Sequence, residues 1–441
     1  MKNKKMVKIL FVIFGFIIIN GICFFSFFYT RSNDIYNVYI DNNNKIVIEL
    51  KNNYDTECFI GNSLDNPKWV KMRDNKCIFN YVDSRFIYLK NRFNNVFRYD
   101  NKKLIKVLDF DVDNKSIYLA LGGVEQINYS LDILGKTDEL ISFKSKDENI
   151  VSVDSSGLVI GKNIGTTGIL VKYLDKEVKV DVVVTDKIIT YSDEFDYNRE
   201  YLGCNMYSKE DNDLLDTILK NRIERVGYKT RAGVVAAARF IALEFPYRIN
   251  YFSENGRLHP YGAGAKIDGE GRYYHAGLFL DESRFNVIEN SMYGPTTWGC
   301  SIYSFPSEGM RKNGFDCSGF ISWIIYNGGY ECEDLGAGVS TIPDMTDLGE
   351  RVLLKDAIDN KSIKAGDLLS GDYAEGGHIA LVAGIKDNNY YVAESLWFGG
   401  IDNGAQIRKY TPQELLNNFY WQVDMDKYYI DNGDYNDFWI N

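Results

Sequence analysis

The chain has 441 residues, 45% of them hydrophobic, which excludes a disordered polypeptide and suits about three packed domains. Its formal charge is −11, and setting aside the four lysines among the first eight residues leaves the remainder at −15, which excludes capture of nucleic acid or anionic wall polymers by a basic field. Seven cysteines are too few for a dense disulfide framework at this length, no CxxC motif or histidine cluster suggests a metal, and no cofactor is expected.

After a tail at 1–8, residues 9–29 (ILFVIFGFIIINGICFFSFFY) are nearly uncharged, of bilayer-spanning length, and preceded by Lys2, Lys4, Lys5 and Lys8. The segment reads as a retained transmembrane signal anchor. Cys23, Phe24, Phe25, Phe27 and Phe28 stand where a cleavable peptide carries small residues. The lysines keep the N-terminus inside, so the expected location is the cell membrane, single-pass, with the bulk of the chain extracytoplasmic and facing the wall.

From 34 to 105, short strand-like runs (VYI, KIVIEL, CIFNYV, FIYLK, VFRYD) alternate with Asn-, Asp- and Gly-containing turns, the pattern of a small antiparallel, Ig-like sandwich. Cys58 and Cys77 fall within it, and their spacing leaves open whether they are bridged or are two buried thiols. Residues 107–186 have the same character. Their runs Phe143–Val153, Asp154–Val159 and Gly165–Ile169 resemble the strand, turn and strand of bacterial Ig-like domains of group 2. That resemblance implies a surface spacer or adhesion module, with surface or wall proteins as its partners.

A third domain is expected at 208–441, following a connector at 187–205. Ser208 with Asp211 resembles a capping box, Leu214, Leu215, Ile218, Leu219 and Val226 recur at helical spacing, and Gly227 ends the helix. A second helix is predicted from about Thr230 to Pro246, its small residues Ala232, Gly233 and Ala236 to Ala238 permitting close packing. Residues 246–280 are dense in Gly, Tyr and Arg and read as ordered, exposed loops. Arg257, Arg272 and His275 there are candidate binders of a substrate carboxylate, or else partners of Asp268, Glu270 and Asp281.

The stretch NGFDCSGFISWIIYNGG carries the chemistry. Cys317 stands where a helix begins, with Asp316 as N-cap; unpaired N–H groups and the helix dipole favour a thiolate there by roughly 0.3–2 kcal/mol. Small neighbours, Ser318 and Gly319, leave room for a substrate to approach the sulfur. Of three histidines, His378 is the best base, because it opens the apolar strand GGHIALVAGI; His275 is the lesser alternative. After a turn at Asp387, Asn388 and Asn389, the strand YYVAESL returns Glu394 near the level of His378. Nucleophile, base and orienting acceptor would thus be Cys317, His378 and Glu394.

DCSGF at 316–320, Lys364-Ala365-Gly366-Asp367-Leu368, and GGHIALV together resemble the NlpC-type papain-like cysteine peptidases of bacterial cell walls over roughly 290–425. The resemblance implies a C-terminal α+β papain-like domain with a helical N-terminal elaboration. The implied fold class is multidomain: a transmembrane helix, two all-β Ig-like sandwiches and that α+β domain. It implies hydrolysis of amide bonds in peptidoglycan stem peptides through a thioester, with Trp298, Asp316 and Ser318 near the substrate and Asp367 structural. Two departures mark the chain: Thr296 stands where the family carries tyrosine, and 300–313 is longer than usual. The alternatives are a surface scaffold whose domain binds muropeptides without cutting them, and an amidase or acyltransferase on the same fold.

Overall fold

The computed structural model describes residues 35–430 except 52–55, 83, 85, 92–93, 101–104, 136–138, 191–193, 201, 204–206, 252–276, 279–303, 306–313, 331–348, 374–375 and 398–403. The chain divides into two compact units, one of described residues within Met1–Val112, Tyr129–Ser142 and Lys172–Val178, the other within Asp113–Asn128, Phe143–Val171 and Lys179–Asn441.

In the first unit, Lys45–Leu50 pairs antiparallel with both Ile35–Ile40 and Lys76–Asn80. A second antiparallel sheet runs Val70–Lys71, Glu57–Gly61, Phe86–Lys90, Val96–Asp100. Alternation turns Ile46, Ile48, Ile87 and Leu89 into a shared core. Cys58 and Cys77, one on each sheet, are bridged there with their Cα atoms 6.2 Å apart, which resolves the pairing that spacing left open.

In the second unit, the turn expected at Asp154–Val159 is present. Asp154 Oδ1 accepts from the N–H groups of Ser156 and Leu158, and Gly157 takes φ 89°, a left-handed conformation in which a Cβ would also lie 2.9 Å from the Phe143 ring. The turn joins Val151–Val153 to Leu158–Gly161, which also pairs with Val124–Gln126.

Helix α1, Lys209–Val226, begins at the expected capping box of Ser208 and Asp211 and buries Leu215, Ile218, Leu219 and Ile223. Val226, expected on the apolar face, is 36% exposed. Helix α2, Arg231–Arg239, starts at Thr230 and continues as a single π turn, Phe240–Glu244, ending before Pro246. Helix α3, Cys317–Asn327, buries Phe320, Ile321, Trp323, Ile324 and Ile325.

A six-stranded sheet completes this unit. Its strands are β1 Glu350–Leu353, β2 Leu368–Tyr373, β3 Gly376–Lys386, β4 Asn389–Leu396, β5 Gly404–Tyr410 and β6 Trp421–Asp424, in the order β1-β6-β2-β3-β4-β5. All pairings are antiparallel. Asp387 and Asn388, at φ 51° and 61°, form the two-residue turn between β3 and β4, a geometry that Asp and Asn tolerate. Ile379, Leu381 and Ala383 share a core with residues of α1 to α3. Ala380 and Val382 pack on the opposite face with Leu354 and Ala357 of α4 (Leu354–Asp359) and Leu415 of α5 (Pro412–Asn418). Burial on both faces explains why β3 reads as an unbroken apolar run.

The expected fold class is corrected by this arrangement. The described residues are mostly β, with twenty-four strands against five α-helices and one π turn, and they do not form the expected α+β papain-like class. The reason lies in the side chains: Val, Ile, Tyr and Phe at alternating positions fill most described segments, and helical spacing is confined to 209–244, 317–327 and two short pieces. The expected transmembrane segment 9–29 lies outside the described residues. Among those described, no helix is long and apolar enough to cross a membrane.

Candidate functional site

The turn into α3 is fixed from both sides. Asp316 Oδ1 accepts the N–H of Gly319 at 2.7 Å, the N-cap bond that the sequence predicts. One residue earlier, the Phe315 carbonyl accepts the Ser395 hydroxyl at 2.8 Å, tying the start of α3 to the β4 residue beside Glu394. Gly314 takes φ 141°, and a Cβ there would fall 2.0 Å from the Asn250 carbonyl oxygen, so only glycine lets the segment lie against 249–251. The Trp323 indole donates to the Gly277 carbonyl at 3.0 Å and anchors the buried side of the helix.

Cys317 is partly exposed and is the free thiol among the described residues. Its side chain is near enough to the His378 ring to raise that ring's pKa. His378 Nε2 lies 2.9 Å from Glu394 Oε2, and the two side chains are 5% and 0% exposed. Of the residues singled out in the sequence, His378 and Glu394 therefore form a bonded pair across adjacent strands, and Cys317 acts on that pair from the start of α3.

Burial alone would lower the pKa of His378. The hydrogen bonds and charges of Cys317 and Glu394 outweigh it and raise the value to about 9. At neutral pH the ring carries its proton, poised to give it to a leaving group.

Three further residues complete the site. The Tyr410 hydroxyl donates to Glu394 Oε1 at 2.6 Å, Arg408 Nη1 stands 3.8 Å from the same oxygen, and the Phe419 ring stacks on His378 at 5.8 Å and 30°. Sequence reading missed them. The period-2 alternation of GAQIRKY was the available signal, since Gln406 pairs directly with Glu394 and Arg408 and Tyr410 follow on the same face.

Other candidates behave differently. Asp316 and Ser318, expected near the substrate, are 3% and 0% exposed and bond to each other at 3.3 Å, which makes them parts of the helix start. Asp367, read as structural, accepts from Arg231 Nη1 at 2.8 Å, Gln422 Nε2 at 2.7 Å and two backbone N–H groups. Trp298, Arg257, Arg272 and His275 lie outside the described residues, as does most of the 300–313 insertion.

No protein-family model matches the chain, and no curated protein matches it. Solved structures match parts of it. Domains 4 and 5 of the S-layer protein SbsC match at 16% identity and TM-score 0.19, covering 35% of this chain and 94% of that one. The longer rSbsC(31-844) matches at 18% and 0.19, covering 33% of this chain and 24% of that one. An intimin mutant of EHEC O157:H7 matches at 17% and 0.14, covering 26% of this chain and 57% of that one. The strand pairings described above are those of antiparallel β domains.

Proposed function

We propose that the protein is an extracytoplasmic cysteine hydrolase that cuts amide bonds in peptidoglycan stem peptides. One observation carries the reading: a partly exposed thiol at a helix N-terminus acts on a histidine that is itself held by a buried carboxylate. The peptide substrate class, and a preference for the bond between D-glutamate and a diamino acid, follow from the NlpC-type resemblance of DCSGF, GDL and GGHIALV. The Cys58–Cys77 bridge supports an oxidising compartment.

In this reading Cys317 Sγ, its proton already held by His378 in the resting pair, attacks the amide carbonyl carbon. The resulting oxyanion faces N–H groups of the first turn of α3, including that of Cys317. Collapse expels the amine, which takes the proton from His378, and leaves an acyl thioester. Water then gives a proton to His378 and attacks the thioester. The carboxylic acid departs and the sulfur is left facing protonated His378, as at the start.

Incubation of the purified protein with peptidoglycan, followed by mass spectrometry of soluble peptides, tests this. Wild type is expected to release peptides that Cys317→Ala does not. Equal release by both, or none by either, would count against the reading.

A further inference from the structure

Glu394 is sealed from solvent, and its two oxygens have different partners: Oε2 meets His378 Nε2 at 2.9 Å, and Oε1 meets the Tyr410 hydroxyl at 2.6 Å. A carboxylate only accepts, so Tyr410 donates to one oxygen and His378 donates Nε2–H to the other. That fixes the tautomer and leaves Nδ1 as the nitrogen available to Cys317. Arg408, the other charged group near Glu394, stands 3.8 Å away with its side chain 31% exposed, outside hydrogen-bond range. Tyr410 is itself 3% exposed and meets Phe419 edge-on at 6.1 Å, so the ring stacked on His378 also rests against it.

We infer that Tyr410 is a positioning residue for the thiol chemistry, its hydroxyl clamping Glu394 in the orientation that holds His378 toward Cys317. The inference rests on the reading of Cys317 as nucleophile. Neither DCSGF nor the strand of His378 marks Tyr410; the assignment comes from the β4–β5 register and the buried bond. Without the hydroxyl, Oε1 keeps no close donor among these groups, and the carboxylate is free to turn. Imidazolium at His378 then loses support, and so does the thiolate opposite it.

The test needs no substrate. Iodoacetamide alkylation of Cys317 is followed by peptide-resolved mass spectrometry across pH 5 to 10 (roughly the window of His and Cys titration) in wild type, Tyr410→Phe, Glu394→Gln and the double variant. Tyr410→Phe should slow alkylation at neutral pH by roughly tenfold, the order of one hydrogen bond to a charged group, and move its onset toward alkaline pH by about one unit. Because Tyr410 acts through Glu394, the double variant should alkylate like Glu394→Gln alone. An unchanged pH profile in Tyr410→Phe, additive losses in the double variant, or a Tyr410→Phe that no longer folds would each overturn the inference. If instead wild-type Cys317 alkylates no faster than an ordinary exposed thiol at neutral pH, the nucleophile reading fails, and this inference fails with it. Rapid wild-type alkylation with an unaltered Tyr410→Phe profile would sink this inference and leave that reading standing.

Discussion

His378 is where burial and bonding oppose each other most directly. Its pKa is raised from 6.5 to about 9 because the partners Cys317 and Glu394 overcome desolvation. A raised value means that the folded state binds the proton more tightly than the unfolded chain. The associated stability is fully present below about pH 6.5 and is lost as pH rises through about 9. Thermal melts of His378→Gln should lack this decline between pH 6.5 and 9; a decline equal to wild type would assign the proton elsewhere. Glu394→Gln, which keeps the volume but presents an amide to Nε2, should reduce peptide release by up to about 10⁴-fold, with the steady-state loss falling mainly on kcat. These residues were legible early, because Cys317 sits at a signalled helix start and only three histidines compete as its base. Tyr410 was not, since nothing local distinguishes a tyrosine that packs from one that clamps a carboxylate on the next strand.

Among the elements, α2 and β2 are joined through a buried ion pair. Arg231 is fully buried and donates to the Ala365 carbonyl at 3.0 Å, to Asp367 at 2.8 Å and to Asp426 at 2.6 Å. Arg231 would keep Asp426, but four donors would lose their acceptor, so Asp367→Ala should cost about 3–5 kcal/mol in denaturant unfolding. A loss below about 1 kcal/mol, the scale of a surface pair, would contradict that role. The GDL segment thus acts through packing, as its aspartate suggested. Local signals served the elements well: the Ser208 capping box, the Asp316 cap and the two-residue turn at Asp387 and Asn388 all stand where their side chains demanded. The π turn at Phe240–Glu244 had no such signal, because apolar spacing does not distinguish one extra residue in a turn from a regular helix.

For the whole molecule, the expected helices are present but the expected fold class is not. A resemblance carried by three short motifs was extended to a fold class, whereas strands are the main regular structure of the described residues. Motifs report the few residues that chemistry requires, and the class depends on what fills the distance between them. The Cys58–Cys77 bridge spans 19 residues in the first unit, and its removal should destabilise that unit by about 3 kcal/mol on a loop-entropy basis. Cys77→Ser with Cys58→Ser should therefore lower the melting temperature yet leave the Cys317 alkylation rate unchanged, since the bridge and the thiol belong to separate compact units. A matching fall in alkylation would show that the units depend on each other.

The central claim is covalent chemistry at Cys317, and trapping the acyl-enzyme tests it most directly. Protein mixed with peptidoglycan fragments is quenched in acid within the first turnovers, and its intact mass and peptide map are measured. The expected result is a peptidyl adduct on Cys317, absent from Cys317→Ala. Peptide release that proceeds without such an adduct, and undiminished in Cys317→Ala, would contradict it.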